Sequence, residues 1–359
     1  MSDANTGIID TIESRMRIGG MEDLPSNVRL DGLRFGRIGY DPIRYTARHE
    51  STRATSNKGA RTKPQRGSEG SIMSSQQTQI TGHSVETPSG RISYASAGSG
   101  PAALFVHGVV LNKHLWRHQS AKLSDIRHCI AVDLLAHGET EITPNQDVSV
   151  TANAKMLKEV LDALKIDRVD LVGNDSGGGI AQIFAALNPE RVRTLTLTNC
   201  DTHDNWPPEA FKPFVEMVKA GGLRGTLNAM LADKAIFRSP GALGPAYERP
   251  EGVTDEDIET YLRPMVRTEQ RTHDLQRFVV SFDNKHTRVI EPKLRELQAP
   301  TLIVWGTDDV YFPVEWAHWL AKTIPRAKPP VELKGARIFF PEERSDEFNR
   351  LLRDHLQAT

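Results

Sequence analysis

The stretch LVGNDSGGGIAQ, residues 171–182, passes from an apolar strand into a helix through a run of small residues. The strand side is VDLVG (169–173); on the helix side Ala181, Ile183, Phe184 and Leu187 recur at helical spacing until Pro189 stops them. Between the two, Gly173, Asn174, Asp175, Ser176 and Gly177 fit the small-x-nucleophile-x-small frame of a sharp strand-to-helix turn. Glycine flanks such a turn because neighbouring backbone leaves no room for a Cβ. The frame centres on Asp175; centring it on Ser176 puts Asn174 where a small residue is required. A carboxylate there stands beyond the strand end, beside helix amides that favour an anion. The plainer alternative is that Asp175 is an ordinary helix N-cap. Burial raises a carboxyl pKa and amide donors lower it; the amides are expected to win, leaving Asp175 ionised at neutral pH.

Outward from this turn, AALFV (102–106), HCIAVD (128–133), TLTLTN (194–199) and TLIVWG (301–306) are short runs apolar on both faces, as buried parallel strands are. Val150, Met156, Leu157, Val160, Leu161 and Leu164 form a helical stripe between the second run and VDLVG. Strands and helices in alternation predict an α/β fold, a mostly parallel central sheet flanked by helices. ITGHSVET and RISYASAG, separated by PSG, alternate as a hairpin does. After TLTLTN the alternation stops. Phe211, Phe214, Val215 and Val218, then Leu275, Phe278, Val279 and Phe282, give helical patterns only. Residues 203–290 are therefore expected to form a helical cap over the strand ends, where ligands of open α/β sheets bind. Residues 76–202 and 291–359 form the core. Residues 1–75 read as a disordered extension, because 48–71 are polar and rich in Arg, Ser and Gly.

The charge balance, 45 Lys+Arg against 46 Asp+Glu in 359 residues, argues against a nucleic-acid partner. No apolar stretch is long enough to span a bilayer and no signal peptide is evident, so neither membrane nor secretion is expected and the location reads as cytoplasmic. Cys129 and Cys200 lack metal-ligand spacing and read as buried free thiols. GGGIA belongs to the turn and is not a dinucleotide fingerprint. No cofactor and no metal is expected; the partner is a small-molecule substrate, and the oligomeric state is open.

FVHGVVLNKHLWRHQ, AVDLLAHGET, VGNDSGGGIAQ and VWGTDDVYFP occur in the order and spacing of a known family. From about residue 78 onward the chain resembles the α/β-hydrolase superfamily, in its haloalkane dehalogenase and epoxide hydrolase-like branch. The resemblance implies an α/β-hydrolase fold with a helical cap and an aspartate nucleophile, Asp175. It implies an oxyanion hole from the backbone N–H groups of Val109 and Ser176. It places the catalytic acid at Asp309, with Asp308 and then Asp201 as weaker candidates. His107 precedes the oxyanion loop and is either a substrate-side residue or, more plainly, a core histidine. Trp206, at the cap entry, is a candidate pocket residue. Tyr247 and Tyr261 are candidates to protonate a leaving oxygen, with packing an equal alternative.

One family position departs. Where the resemblance expects histidine, KGARIFFPEER carries Ile338. A carboxylate can attack an sp³ carbon without a base, but hydrolysing the resulting ester needs water to be deprotonated. His137, His203, His273 or His286 could supply that base; His318 and His355 are not placed to. Val109 and Ser176 also stand where dehalogenase-type members keep the Asn and Trp that hold halide. The expected function is thus ester-forming hydrolysis of an epoxide or related electrophile. The alternatives are a degenerate, ligand-binding hydrolase and, more weakly, a dehalogenase or a Ser176 esterase.

Overall fold

The computed structural model describes residues 80–359; the expectation for residues 1–75 lies outside the described residues. Eight strands form one sheet in the order β1-β2-β4-β3-β5-β6-β7-β8. They are β1 Thr81–Thr87, β2 Gly90–Ala97, β3 Ala102–Val106, β4 His128–Val132, β5 Val169–Asp175, β6 Val192–Cys200, β7 Thr301–Gly306 and β8 Val331–Leu333. The hairpin β1–β2 is antiparallel and joins β4 antiparallel; all pairings from β4 through β8 are parallel. The interior strands β3, β5 and β7 are buried at every position, as expected of strands covered on both faces, although β5 carries Asp170 within it. Strand β8 is absent from the sequence reading: VEL is too short to carry a period.

Helices α1 Arg117–Leu123, α2 Val150–Ala163 and α3 Ser176–Leu187 follow β3, β4 and β5. Ser149 caps α2 by accepting from the Ala152 N–H, and Asn153 on α2 accepts from the Leu135 N–H in the loop after β4. Between β6 and β7 lie α4 Lys212–Lys219, α5 Leu223–Ala232, α6 Lys234–Arg238, α7 Asp255–Val266, α8 Glu269–Val280, α9 Lys285–Arg288 and α10 Glu291–Leu294. Helices α11 Glu315–Thr323, α12 Phe340–Glu343 and α13 Ser345–Gln357 complete the chain. Both cysteines are free and buried. No helix among the described residues is long and apolar enough to cross a membrane.

The chain order reverses around β3, which has β4 on one side and β5 on the other. At such a switch the loops leaving neighbouring strands part and open a crevice beyond their carboxyl ends. The loop after β3 and the turn after β5 flank that crevice.

Candidate active site

Asp175 closes β5 and opens α3 with φ 58° and ψ −138°, a backbone conformation a non-glycine residue adopts only under constraint. The constraint is visible around it. A Cβ on Gly177 would lie 2.3 Å from the His107 carbonyl oxygen, and one on Gly108 would lie 2.0 Å from the Asp175 carboxylate. Helix α3 therefore packs directly on the β3 strand end, and the turn has no room to relax. The Asp175 side chain makes no capping bond to α3, so it is not a helix N-cap in the ordinary sense. Instead its Oδ2 accepts from the Val109 N–H at 2.9 Å. One of the two amides expected to form an oxyanion hole, that of Val109, thus contacts Asp175 itself.

Asp175 lines a cavity of about 690 Å³ between the strand ends and the helical segment 201–300. Asp201, Tyr311, Phe312 and Ile338 share the core side; Phe211, Phe214, Met217 and Phe282 form the opposite wall. Asp201 is 1% exposed and its Oδ1 has no hydrogen-bond partner. Asp309 sits behind the lining, with Oδ1 accepting from the Tyr311 N–H at 2.8 Å and Oδ2 from Asn199 Nδ2 at 2.7 Å. Asp308 is exposed and takes the Thr307 hydroxyl at 2.8 Å, a turn interaction.

Burial pushes the Asp175 carboxyl up to about 7, against the Ser176 and Val109 amides and with the Asp309 charge adding to the rise. Burial likewise lifts Asp309 to about 7, although the Tyr311 amide, Asn199, the Phe312 amide and Arg337 oppose it. Asp201 is raised by burial and by the charges of Asp175 and Asp309. Against the expectation that the amides prevail, burial beside a second carboxylate outweighs them in direction, and at about 7 the ionised and protonated forms of Asp175 are both present at neutral pH. Ile338 bears on this directly. It lines the cavity, and its carbonyl accepts from Asn174 Nδ2 at 2.9 Å, so where the sequence resemblance expects histidine the cavity wall carries a hydrocarbon.

The remaining expected site residues are placed elsewhere. His107 does not line the cavity; its ring meets the Gly108 carbonyl at 2.7 Å and accepts from the Leu134 N–H at 3.1 Å, as a satisfied core histidine does. Trp206 lies against α3, where a Cβ on Gly179 would come within 2.7 Å of its ring, and it is outside the lining. Tyr247 packs on Phe339, and Tyr261 donates to Glu342 Oε1 at 3.0 Å. Neither tyrosine lines the cavity: Tyr247, in the loop after Ala246, faces Phe339, and Tyr261 on α7 faces Glu342 of α12. Ser176 Oγ is fully buried and outside the lining, which removes the support for a serine nucleophile.

No candidate rescue histidine lines the cavity. His137 meets the rings of His107 and Phe278 edge to face, His203 pairs with Asp204 and Glu291, His273 is exposed, and His286 meets Thr151. Tyr311 went unremarked in the sequence. Its signal was proximity, two residues past the expected acid, in a motif that reads equally well as a turn.

Fold and geometry together define an α/β protein with a buried carboxyl, Asp175, at the turn between β5 and α3. Residues 101–343 match the family described as alpha/beta hydrolase fold, and the chain belongs to that family. Epoxide hydrolase 1 of Siraitia grosvenorii is 28% identical over 305 residues, covering 73% of this chain and 94% of that one. A 2-hydroxy-6-oxononadienedioate/2-hydroxy-6-oxononatrienedioate hydrolase of Paraburkholderia xenovorans is 27% identical over 274 residues, covering 74% and 90%. Among solved structures, an alpha/beta hydrolase fold protein from Burkholderia ambifaria superposes with a TM-score of 0.66 at 22% identity, covering 76% of this chain and 97% of that one.

Proposed function

We propose that the protein is a hydrolase of small apolar electrophiles, epoxides or related compounds, that acts through an ester on Asp175. The observation that carries this reading is the Asp175 carboxylate, held by the Val109 amide at the strained turn and lining a largely apolar cavity. In its ionised form one carboxylate oxygen attacks an epoxide carbon, forming a C–O ester bond as the ring C–O bond breaks. The departing oxygen takes a proton from an acid in the cavity. Asp201, whose carboxyl pKa is raised by burial and by the charges of Asp175 and Asp309, and the Tyr311 hydroxyl are the acids that line it. The ester carbonyl oxygen then lies in reach of the Val109 and Ser176 amides, which stabilise the charge that develops when water adds.

Water addition is the weak half. With Ile338 in place of a base, loss of about 10²–10⁴-fold in that step is expected, so the ester outlives its formation. Incubation with a panel of epoxides should give an intact-mass increase equal to the whole epoxide, located on the peptide carrying Asp175. Asp175→Asn should show none. Unaltered labelling in that variant, or no adduct and no product from any epoxide, overturns the proposal. The Ile338 side chain in the cavity also favours a second reading, a degenerate hydrolase that binds ligand without turnover. Saturable binding with neither adduct nor product is its signature.

A further inference from the structure

The cavity gathers carboxyl groups that no basic side chain pairs at its buried end. Of the four acidic side chains in its lining, Glu209 and Glu216 are exposed and pair with Lys212 and Lys219. That leaves Asp175 and Asp201, both buried, with no ion-pair partner among the described residues. Asp309 adds a further carboxyl behind the floor, and Arg337, whose charge acts on it, donates to the Pro245 carbonyl. Asp201 is the telling group. A carboxyl oxygen this deeply buried and without any partner is costly unless a ligand satisfies it. The opposite wall is aromatic, with Phe211 and Phe214 ring centroids 4.9 Å apart and Phe211 and Phe282 6.1 Å apart. Aromatic faces beside carboxylates attract organic cations in a desolvated site.

We propose that the cavity takes an apolar organic cation, with its amine or quaternary ammonium group against Asp175 and Asp201 and its hydrocarbon on the aromatic wall. The ligand then supplies the positive charge that Ile338 does not. The groups that set the response to pH come from several elements. The Val109 and Ser176 amides and the Asp309 charge act on Asp175, and the charges of Asp175 and Asp309 act on Asp201. Tyr311, Asn199 and Arg337 face Asp309, and Glu209, Lys212 and Glu216 stand in the lining from the helical side. Binding a cation favours the ionised carboxylates, so protons leave as it binds and affinity rises with pH through neutrality.

The test is calorimetric titration of the full chain with phenyltrimethylammonium and with its neutral isostere tert-butylbenzene. The cation should bind about tenfold or more tighter at about pH 8 than at about pH 5.5, with proton release. The neutral probe should show no such change and bind more weakly than the cation at the higher pH. The double variant Asp175→Asn, Asp201→Asn should lose the cation's advantage while still binding the neutral probe, which reports an intact cavity. Equal affinities for the two probes at the higher pH, a flat cation affinity, or a preference retained in the double variant overturns the proposal. Neither probe is an electrophile at carbon that the ester chemistry needs. A missing Asp175 adduct with cation preference intact therefore sinks only the covalent reading, and the reverse result sinks only this one.

Discussion

Ile338 and Asp175 meet the same cavity from two elements, and what each lacks explains the other. Asp175 has amide donors but, among the described residues, no ion-pair partner; residue 338, where the sequence resemblance expects histidine, puts a hydrocarbon in the same lining. Histidine has a volume close to that of isoleucine, and the backbone carbonyl of residue 338 would keep its bond from Asn174. Ile338→His should therefore be accommodated. Its imidazole would lower the carboxyl pKa values and provide a base for water. The lifetime of an Asp175 ester, followed by intact mass after excess electrophile is removed, should fall at least about tenfold, within the about 10²–10⁴-fold typical of a positioned base. An unchanged lifetime would mean that water access, and not the missing base, limits the second step.

At the scale of the element, the β5–α3 turn depends on contact with β3 that a single methyl group destroys. Gly177→Ala would set a Cβ 2.3 Å from the His107 oxygen and 2.4 Å from that of Val106, both fixed backbone atoms. Destabilisation of about 4 kcal/mol or more is expected, read as loss of folded protein or a large fall in Tm. Gly82→Ala on the exposed hairpin strand meets nothing within 4 Å and should be neutral or stabilising by about 0.4–1 kcal/mol. The contrast shows what a sequence can reveal. The turn was legible because strand, glycines and helix are contiguous in residues 171–182, and the alternation of apolar runs gave the sheet for the same local reason. Trp206, Tyr247 and Tyr261 were not placed by the sequence, since their surroundings depend on how α4 to α10 pack on the core. Phe211, Phe214 and Phe282 were visible as helical apolar positions. Only the packing turns them toward a cavity and away from a core.

The whole molecule balances two opposite pH dependences. Asp175 and Asp309, raised from an ordinary 3.8 to about 7, bind protons in the folded state that the unfolded chain releases. Their contribution to stability is complete below about pH 4 and is lost as pH rises toward 7. His107 and His137 act the other way. Burial lowers both to about 3, so the unfolded chain binds protons that the folded one excludes, and stability rises with pH up to about 6.5. The two slopes offset each other in the acid range, and a Tm profile of the wild type alone would not show the carboxylates. Subtraction does. Asn is a neutral stand-in for the protonated Asp175 carboxyl, so Asp175→Asn removes the proton release and eases the repulsion on Asp201 and Asp309. The variant should gain stability over wild type as pH increases, with little difference near about pH 4 and a gain of order a few kcal/mol by about pH 8. Thermal unfolding of the two proteins across that range measures it. A Tm difference that stays constant with pH would mean that Asp175 is ionised throughout. It would return the balance at the turn to the amides of Val109 and Ser176.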